Sequence, residues 1–261
     1  MKIGLKLWST NDYYVPLLLD LYEGKWFDYV ELYAVSGSFE QYSGGWGAFR
    51  FPYVIHAPND SINLAVSENF EENRERFKET QRYADLLDAE IIIVHAGLDG
   101  TIEESIRQLK LLEDRRLVIE NVPPIGFKEQ VCIGSSLEEI EKILTNCPSM
   151  KFCLDFGHAI TYASCQGIPY DDTIINFNQI SPVMYHLCDG NFSNKRDRHL
   201  HLGEGEYDLA GMLGFVPEGY RVSLETPKES KEDLDDFIND VKILKKCWKI
   251  RSSRKEKESV L

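Results

Sequence analysis

The sequence predicts one (β/α)8 barrel, a TIM barrel in which eight parallel strands alternate with helices. Eight short apolar runs recur along the chain, and helical stretches lie between them. Most of the runs are continuously apolar rather than alternating, which is typical of parallel strands that are buried on both faces. With 261 residues, 43% of them hydrophobic, the chain is long enough to bury one large core.

The predicted strands and helices follow each other in the order that this barrel requires. The eight strands are KIGLKLW (2–8), YVELYA (29–34), YVIHA (53–57), EIIIVHA (90–96), RLVIENV (116–122), KFCLDFG (151–157), VMYHLC (183–188) and YRVSLET (220–226). The clearest helices are predicted at 67–87, 101–113, 135–147 and 233–248. One helix opens with a capping box of Thr101 and Glu104, and another opens with a capping box of Ser136 and Glu139.

The formal net charge of −14 argues against a tight nucleic-acid binder, which normally presents a basic face. Three bound divalent ions would change this figure to about −8. Eight of the 29 lysine and arginine residues fall in the last twenty residues, where a solvated helix end explains them better than a nucleic-acid-binding arm. We expect the barrel at residues 1–250 and a polar, disordered tail at 251–261.

The sequence carries no sign of a membrane span or a secretory leader. No apolar run approaches about 18 residues, and the N-terminal MKIGLKLWST is too short and too charged for a signal peptide. The six cysteines form no CxxC pair, and several lie inside apolar strands, where a thiol is usually a small buried hydrophobe. We therefore expect a reducing, cytoplasmic compartment.

All six histidines lie in short motifs that close predicted strands. They are His56, His95, His158, His186, His199 and His201. Four carboxylates lie in motifs of the same kind, and they are Glu120, Asp155, Asp197 and Glu225. Neutral imidazole and carboxylate are ligands of Zn²⁺ and related divalent ions, and active sites of this barrel form at the C-terminal ends of the strands. The sequence therefore predicts a polynuclear metal site at that end.

A single buried histidine is more often hydrogen-bonded in a core than bound to metal. The whole set favours metal, because five histidines and four acids at one barrel mouth would otherwise leave many polar groups unsatisfied. Gly157 lets the chain turn between Asp155 and His158, so that both can face one site. His201 and Asp189 are expected to support the ligands rather than to bind metal themselves.

The series of motifs resembles that of the endonuclease IV family. The motifs are IHAP, VHAG, IEN, LDFGHA, HLCDG, DRHLHLGEG and LETP, and they extend from about residue 53 to residue 227. Taken singly, HAP and LGEG recur in many sugar isomerases and epimerases, but the ordered series is much more specific. The family consists of apurinic/apyrimidinic endonucleases with a xylose isomerase-like TIM barrel, so the resemblance implies a hydrolase that acts on abasic or damaged DNA.

The resemblance also implies three zinc ions. Its ligand sets are His56, His95 and Glu120 for the first ion, Glu120, Asp155, His186 and Glu225 for the second, and His158, Asp197 and His199 for the third. The residues that it implies for catalysis are Glu120, His158 and Glu225, and Glu225 would orient or deprotonate the attacking water. Zinc activates such a water at neutral pH and stabilises the leaving oxygen.

The chain departs from the family in two loops. The segment AVSGSFEQYSGGWGAFRF (34–51) is rich in glycine and aromatics, and it is expected either to close over a small ligand or to stack on a base. After the third strand, HAPNDSINL places Asn59 where the endonucleases have a different sequence. A basic loop surrounds Asp197, and it either holds phosphate or is simply solvated. The candidate substrate contacts are Trp46, Asn59, Lys195, Arg196 and Arg198.

The alternative is a sugar or sugar-phosphate isomerase or epimerase of the same superfamily. Such enzymes resemble this chain around one Mn²⁺ or Mg²⁺ ion, and their ligands would be Glu120, Asp155, His186 and Glu225. His158 would then contact the substrate, and two glutamates would exchange a proton beside a carbonyl. The remaining candidates, His56, His95, Asp197 and His199, would have no common task, which favours the three-metal hypothesis. A third hypothesis, a non-catalytic metal-binding barrel, has no support in the sequence.

Overall fold

A computed structural model describes residues 1–193 and 196–258, and side chains as far as Arg251. Eight parallel strands pair in sequence order, and β8 pairs with β1 to close the barrel. The strands are β1 (Lys2–Trp8), β2 (Tyr29–Tyr33), β3 (Tyr53–His56), β4 (Ile92–Val94), β5 (Leu117–Glu120), β6 (Lys151–Asp155), β7 (Met184–Leu187) and β8 (Arg221–Leu224). The predicted (β/α)8 barrel is confirmed, and the candidate substrate contact Lys195 lies outside the described residues.

Helices surround this barrel. They are α1 (Val15–Glu23), α2 (Phe39–Gly47), α3 (Phe70–Leu86), α4 (Ile102–Leu111), α5 (Leu137–Asn146), α6 (Phe156–Gln166), α7 (Tyr170–Gln179), α8 (Leu209–Gly214) and α9 (Asp235–Glu258). The two predicted caps form: Thr101 accepts from the amide of Glu104 at the start of α4, and Ser136 builds a full capping box at the start of α5. The last helix was predicted to end at residue 248, but α9 continues to Glu258, and residues 259–261 of the predicted tail lie outside the described residues.

The interior of the barrel is a separate apolar cluster below the polar mouth. Its buried members are Tyr29, Val54, Ile91, Ile93, Val118, Cys153 and Met184. Gly4 is needed beside this cluster, because a Cβ there would lie 2.4 Å from Cζ of Tyr29. Strand side chains alternate between the two faces, so a residue two positions further along points into the barrel at the next level. The pairs related in this way are Tyr29 with Glu31, Val54 with His56, Val118 with Glu120, Cys153 with Asp155, and Met184 with His186.

The aromatic segment after β2 packs against the core instead of covering the mouth. Phe39, Tyr42 and Trp46 follow helical spacing in α2, and they face inward together. Trp46 is fully buried and donates its Nε1 hydrogen to the carbonyl of Ser9 at 2.7 Å, while the rings of Phe39 and Tyr83 lie 4.8 Å apart. The expectations of a closing lid, of a base-stacking loop and of Trp46 as a substrate contact were therefore wrong.

Among the helices that the structure describes, none has the length and the apolar character that a bilayer-spanning segment would need. The long helices α3 and α9 both carry many charged side chains. Their apolar residues, such as Phe77 and Phe237, are buried against the strands of the barrel.

We expect Trp46→Ala to lower the free energy of unfolding by about 3–5 kcal/mol, because it removes a fully buried indole from the core. Trp8→Ala is the matched control, since Trp8 is 57% exposed and its loss should change stability by about 0.5 kcal/mol or less. Chemical denaturation of both variants measures the difference. Equal stability of the two variants would contradict the packing of α2.

Candidate metal centre

The nine predicted ligands meet at the C-terminal mouth of the barrel in three groups, two of which share one residue. The groups are His56, His95 and Glu120; Glu120, Asp155, His186 and Glu225; and His158, Asp197 and His199. Within each group, one nitrogen or oxygen of every residue lies within 4.8 Å of the others. These nine residues come from six different strands or from the segments that follow them, and the fold brings them close together.

The first group is built around one oxygen of Glu120. Nε2 of His56 and Nε2 of His95 each lie 3.1 Å from Oε2 of this carboxylate. The other oxygen, Oε1, lies 3.1 Å from Nδ1 of His186 in the second group. Glu120 is 1% exposed, so its two oxygens contact residues of two neighbouring groups and are shielded from solvent.

The second group contains a buried acceptor with no partner. Nδ1 of His186 lies 2.6 Å from Oε1 of Glu225 and 3.8 Å from Oδ2 of Asp155. Oδ1 of Asp155 caps helix α6 by accepting from the amide of His158, but Oδ2 makes no hydrogen bond in the described part of the chain. Burial raises the pKa of Asp155 to about 7, and the neighbouring carboxylates of Glu225, Asp197 and Glu120 act in the same direction against the opposing charge of His158.

The third group joins the first turn of α6 to the loop after β7. Nε2 of His158 and Nε2 of His199 lie 3.7 Å and 3.9 Å from Oδ2 of Asp197. The position of the Asp197 carboxylate next to α6 depends on Gly157, because a Cβ at residue 157 would lie 2.5 Å from Oδ2 of Asp197. The role predicted for Gly157 was a turn between two ligands, and the structure adds this close contact with a third residue.

Each histidine of the three groups has its second ring nitrogen held by another group. Nδ1 of His56 lies 2.8 Å from the carbonyl of Ala57, and Nδ1 of His158 lies 2.9 Å from the carbonyl of Asn121. Nδ1 of His199 lies 3.0 Å from the carbonyl of Glu225. Such contacts fix the ring orientation, and in metal sites they leave the opposite nitrogen free to coordinate.

These residues fit divalent metal ions. Imidazole nitrogen and carboxylate oxygen are the donors that zinc and related ions accept. Four carboxylates that are almost fully buried next to one another are unfavourable without positive charge. The unpartnered Oδ2 of Asp155 points to the same requirement, because a buried carboxylate oxygen without a donor is costly.

The candidate substrate contacts divide into paired and exposed side chains. Asn59 faces His95, with its Nδ2 3.0 Å from Nδ1 of the ring, and it accepts a hydrogen bond from the hydroxyl of Tyr33. Arg196 pairs with Glu129 of the loop after β5. Arg198 is exposed beside the third group. Asn59 therefore positions a histidine of the first group, and Arg198 is an exposed candidate next in sequence to two residues of the third group.

Two further residues, which were predicted to support the ligands, act on the loop after β7 and not on a histidine of the three groups. Asp189 does not orient a histidine, because its carboxylate accepts backbone amides of Gly190, Gly203 and Tyr207 and so shapes the loop. His201 lies outside the three groups, and its Nδ1 contacts Asp240 of α9 at 2.9 Å. Both residues hold the loop that carries the third group against the rest of the fold.

Sequence reasoning missed two charged residues that lie within the site. Lys6 of β1 and Glu31 of β2 are paired in register, and Nζ of Lys6 lies 3.1 Å from Oε1 of Glu31. Nζ of Lys6 also donates to Glu225. The available signal was a single charge in the middle of each apolar strand, at the inward-facing position of the strand alternation.

Residues 30–247 match the family model described as "Xylose isomerase-like TIM barrel". The chain belongs to this family. The crystal structure of a D-tagatose 3-epimerase-like protein is similar over 97% of this chain and 99% of its own, with 20% identity and a TM-score of 0.75. The endonuclease IV structure from Thermus thermophilus is similar over 95% of this chain and 99% of its own, with 19% identity and a TM-score of 0.69. At such identities the two structures support the fold alone.

Several curated relatives carry the name "Probable endonuclease 4", and two of them show the extent of the match. The protein from Aquifex aeolicus (strain VF5) is 28% identical over 217 residues, which cover 71% of this chain and 74% of the relative. The protein from Halobacterium salinarum (strain ATCC 29341 / DSM 671 / R1) is 26% identical over 150 residues, which cover 51% of this chain and 53% of the relative. The chain therefore matches about half the length of the second relative.

We expect His199→Ala to remove one equivalent of bound metal, because it deletes one of three donors of the third group. His201→Ala is the matched control, since it removes an imidazole two residues away that lies outside the groups. Elemental analysis of both purified variants after dialysis against zinc measures the difference. Equal metal content of His199→Ala and the unaltered protein would contradict the third group.

Proposed function

We propose that this protein is a divalent-metal phosphodiester hydrolase of the endonuclease IV type, which uses three zinc ions to cut DNA beside an abasic nucleotide. The observation that carries the proposal is the convergence of nine donors into three groups around Glu120. The names of the curated relatives support the same reaction class.

The number of donor groups separates this proposal from a mononuclear isomerase. The group of Glu120, Asp155, His186 and Glu225 would be sufficient for one ion. The other five donors are His56, His95, His158, Asp197 and His199, and they lie around the same mouth, close to Glu120, to Glu225 or to each other. A one-metal reaction does not need them, whereas a phosphodiester hydrolase uses several cations at the two sides of the phosphorus.

When bound, the metal ions would supply an activated water at neutral pH and neutralise the charge that develops on the phosphate oxygens. Glu225 lies where the second and third groups meet: Oε1 faces His186, and Oε2 lies 3.5 Å from Nδ1 of His199. Its side chain is 8% exposed, so it can accept a proton from a water at the mouth while remaining shielded from bulk solvent. Glu120 and His158 would help to hold the ions of their own donor groups.

An abasic nucleotide suits this mouth because it can leave the duplex without the cost of unstacking a base. Arg198 is an exposed cation next in sequence to Asp197 and His199 of the third group, and it would contact a phosphate. The acidic overall charge of −14 weakens duplex attraction. Contacts at the lesion must therefore supply most of the binding, so the proposed enzyme binds undamaged DNA weakly.

We expect zinc-loaded protein to cut a duplex that carries one tetrahydrofuran abasic analogue, 5′ to the lesion. Glu225→Gln should lower the cleavage rate by a factor on the order of 10²–10⁴, because it removes the proton acceptor. Gel analysis of a labelled strand under single-turnover conditions measures both rates. Metal content of the variant, measured in parallel, separates a lost proton acceptor from a lost ion.

Glu229→Gln is the matched control, because Glu229 is 73% exposed nearby and contacts His201 outside the groups. The Glu229→Gln variant should cut the abasic duplex at the same rate as the unaltered protein. Absence of cleavage by fully metallated protein would contradict the proposal. Epimerisation of a ketose by protein that holds a single ion would instead establish the isomerase alternative.

A further inference from the structure

The charged pair of Lys6 and Glu31 lies beneath the proposed metal cluster, and neither residue belongs to the ligand sets that the resemblance implied. Both side chains point into the barrel from adjacent positions of β1 and β2. The Glu31 side chain is fully buried, and the Lys6 side chain is 14% exposed. Burial of two charges is expensive, so the pair must make contacts that offset the loss of hydration.

Glu31 connects four strands through one carboxylate. Oε2 contacts Nε2 of His186 at 3.0 Å and accepts from the hydroxyl of Ser223. Oε1 lies 3.1 Å from Nζ of Lys6. The hydroxyls of Ser223 and Tyr29 lie 2.9 Å apart, which extends the network toward the apolar interior of the barrel. The strands joined in this way are β1, β2, β7 and β8.

The contact with Glu31 gives Nε2 of His186 a hydrogen-bond acceptor. An ionised carboxylate only accepts hydrogen bonds, so Nε2 carries a proton in this contact. Nδ1 lies in the second group, 2.6 Å from Oε1 of Glu225, 3.1 Å from Oε1 of Glu120 and 3.8 Å from Oδ2 of Asp155. With an ion bound in that group, Nδ1 would be the nitrogen that offers its lone pair. The other four histidines of the three groups have a backbone carbonyl or the Asn59 side chain as the nearest partner of their second nitrogen, at 2.8–3.0 Å. Carboxylate oxygens lie farther from the second nitrogens of His158 and His199, at 3.4 Å and 3.5 Å.

Lys6 also contacts a residue of the second donor group. Its ammonium contacts Oε1 of Glu31 and Oε1 of Glu225. Glu31, His56 and Glu225 form a further set of donors close enough to hold a cation, and Lys6 lies against two of its three members. The ammonium therefore neutralises Glu31, and it competes with a metal ion for the Glu225 oxygen.

We propose that Glu31 is a positioning residue that fixes the tautomer and orientation of His186, and that Lys6 limits the affinity of the second group for its metal. The inference rests on the metal cluster of the proposed function, but it does not depend on the reaction or on DNA. Outer partners of this kind change metal affinity by about 10–100-fold in other sites. The two residues act in opposite directions, which a purely structural role would not produce.

The test is a competition titration of apoprotein with zinc against a chromophoric chelator. The absorption spectrum of cobalt-loaded protein is recorded as a second readout. Glu31→Gln should weaken one bound equivalent by about 10–100-fold and alter the cobalt spectrum, because His186 loses its charged partner. Lys6→Met should bind that equivalent more tightly than the unaltered protein, since the competing ammonium is gone. Tyr29→Phe is the matched control, because it removes a buried hydroxyl of the network without touching His186, and its affinities should be unchanged.

Weaker binding by both charge variants would indicate damage to the fold, and it would overturn the proposal, as would unchanged affinities in both. If Glu31→Gln does not fold, Lys6→Met decides alone: tighter binding supports the proposal, and equal or weaker binding overturns it. Unaltered protein that binds no metal would overturn the cluster itself. Normal binding without DNA cleavage would overturn the hydrolase while leaving the role of Glu31 intact.

Discussion

The site depends on one electrostatic constraint: five carboxylates and five imidazoles share the mouth of one barrel. The carboxylates are Glu31, Glu120, Asp155, Asp197 and Glu225, and Lys6 is the described cation that contacts two of them. Each buried carboxylate that lacks a counter-charge costs several kcal/mol. The unpartnered oxygen of Asp155 and the approach of two imidazoles to one oxygen of Glu120 are local signs of this constraint. Bound divalent ions would satisfy it.

The barrel makes such crowding possible because it separates apolar packing from polar chemistry along each strand. The side chains of the lower level fill the interior, and the residues two positions later reach the mouth already buried and oriented. Small residues permit the closest approaches: Gly4 makes room for Tyr29, and Gly157 makes room for Asp197. Helices, caps and loop contacts such as those of Asp189 hold this arrangement from outside.

Most of the fold and the grouping of the candidate ligands could be predicted from the sequence, because strand position and residue type agree at each motif. Glu120 follows an apolar strand and has the donor chemistry of a metal ligand, so two separate arguments select it. Lys6 and Glu31 were missed because each is a lone charge inside an apolar strand, and its partners are far away in sequence. Trp46 was misinterpreted because glycines around it indicate a loop, whereas the inward face of α2 depends on contacts with α3 and with the residue after β1 that no local pattern reveals.

The central claim is that this mouth holds three metal ions, two of which share Glu120. Anomalous X-ray diffraction from a zinc-loaded crystal, recorded on both sides of the zinc absorption edge, tests it directly. The account predicts three anomalous peaks, one in each donor group, with Glu120 lying between two of them. A single peak in the group of Glu120, Asp155, His186 and Glu225, or peaks away from these residues, would contradict it.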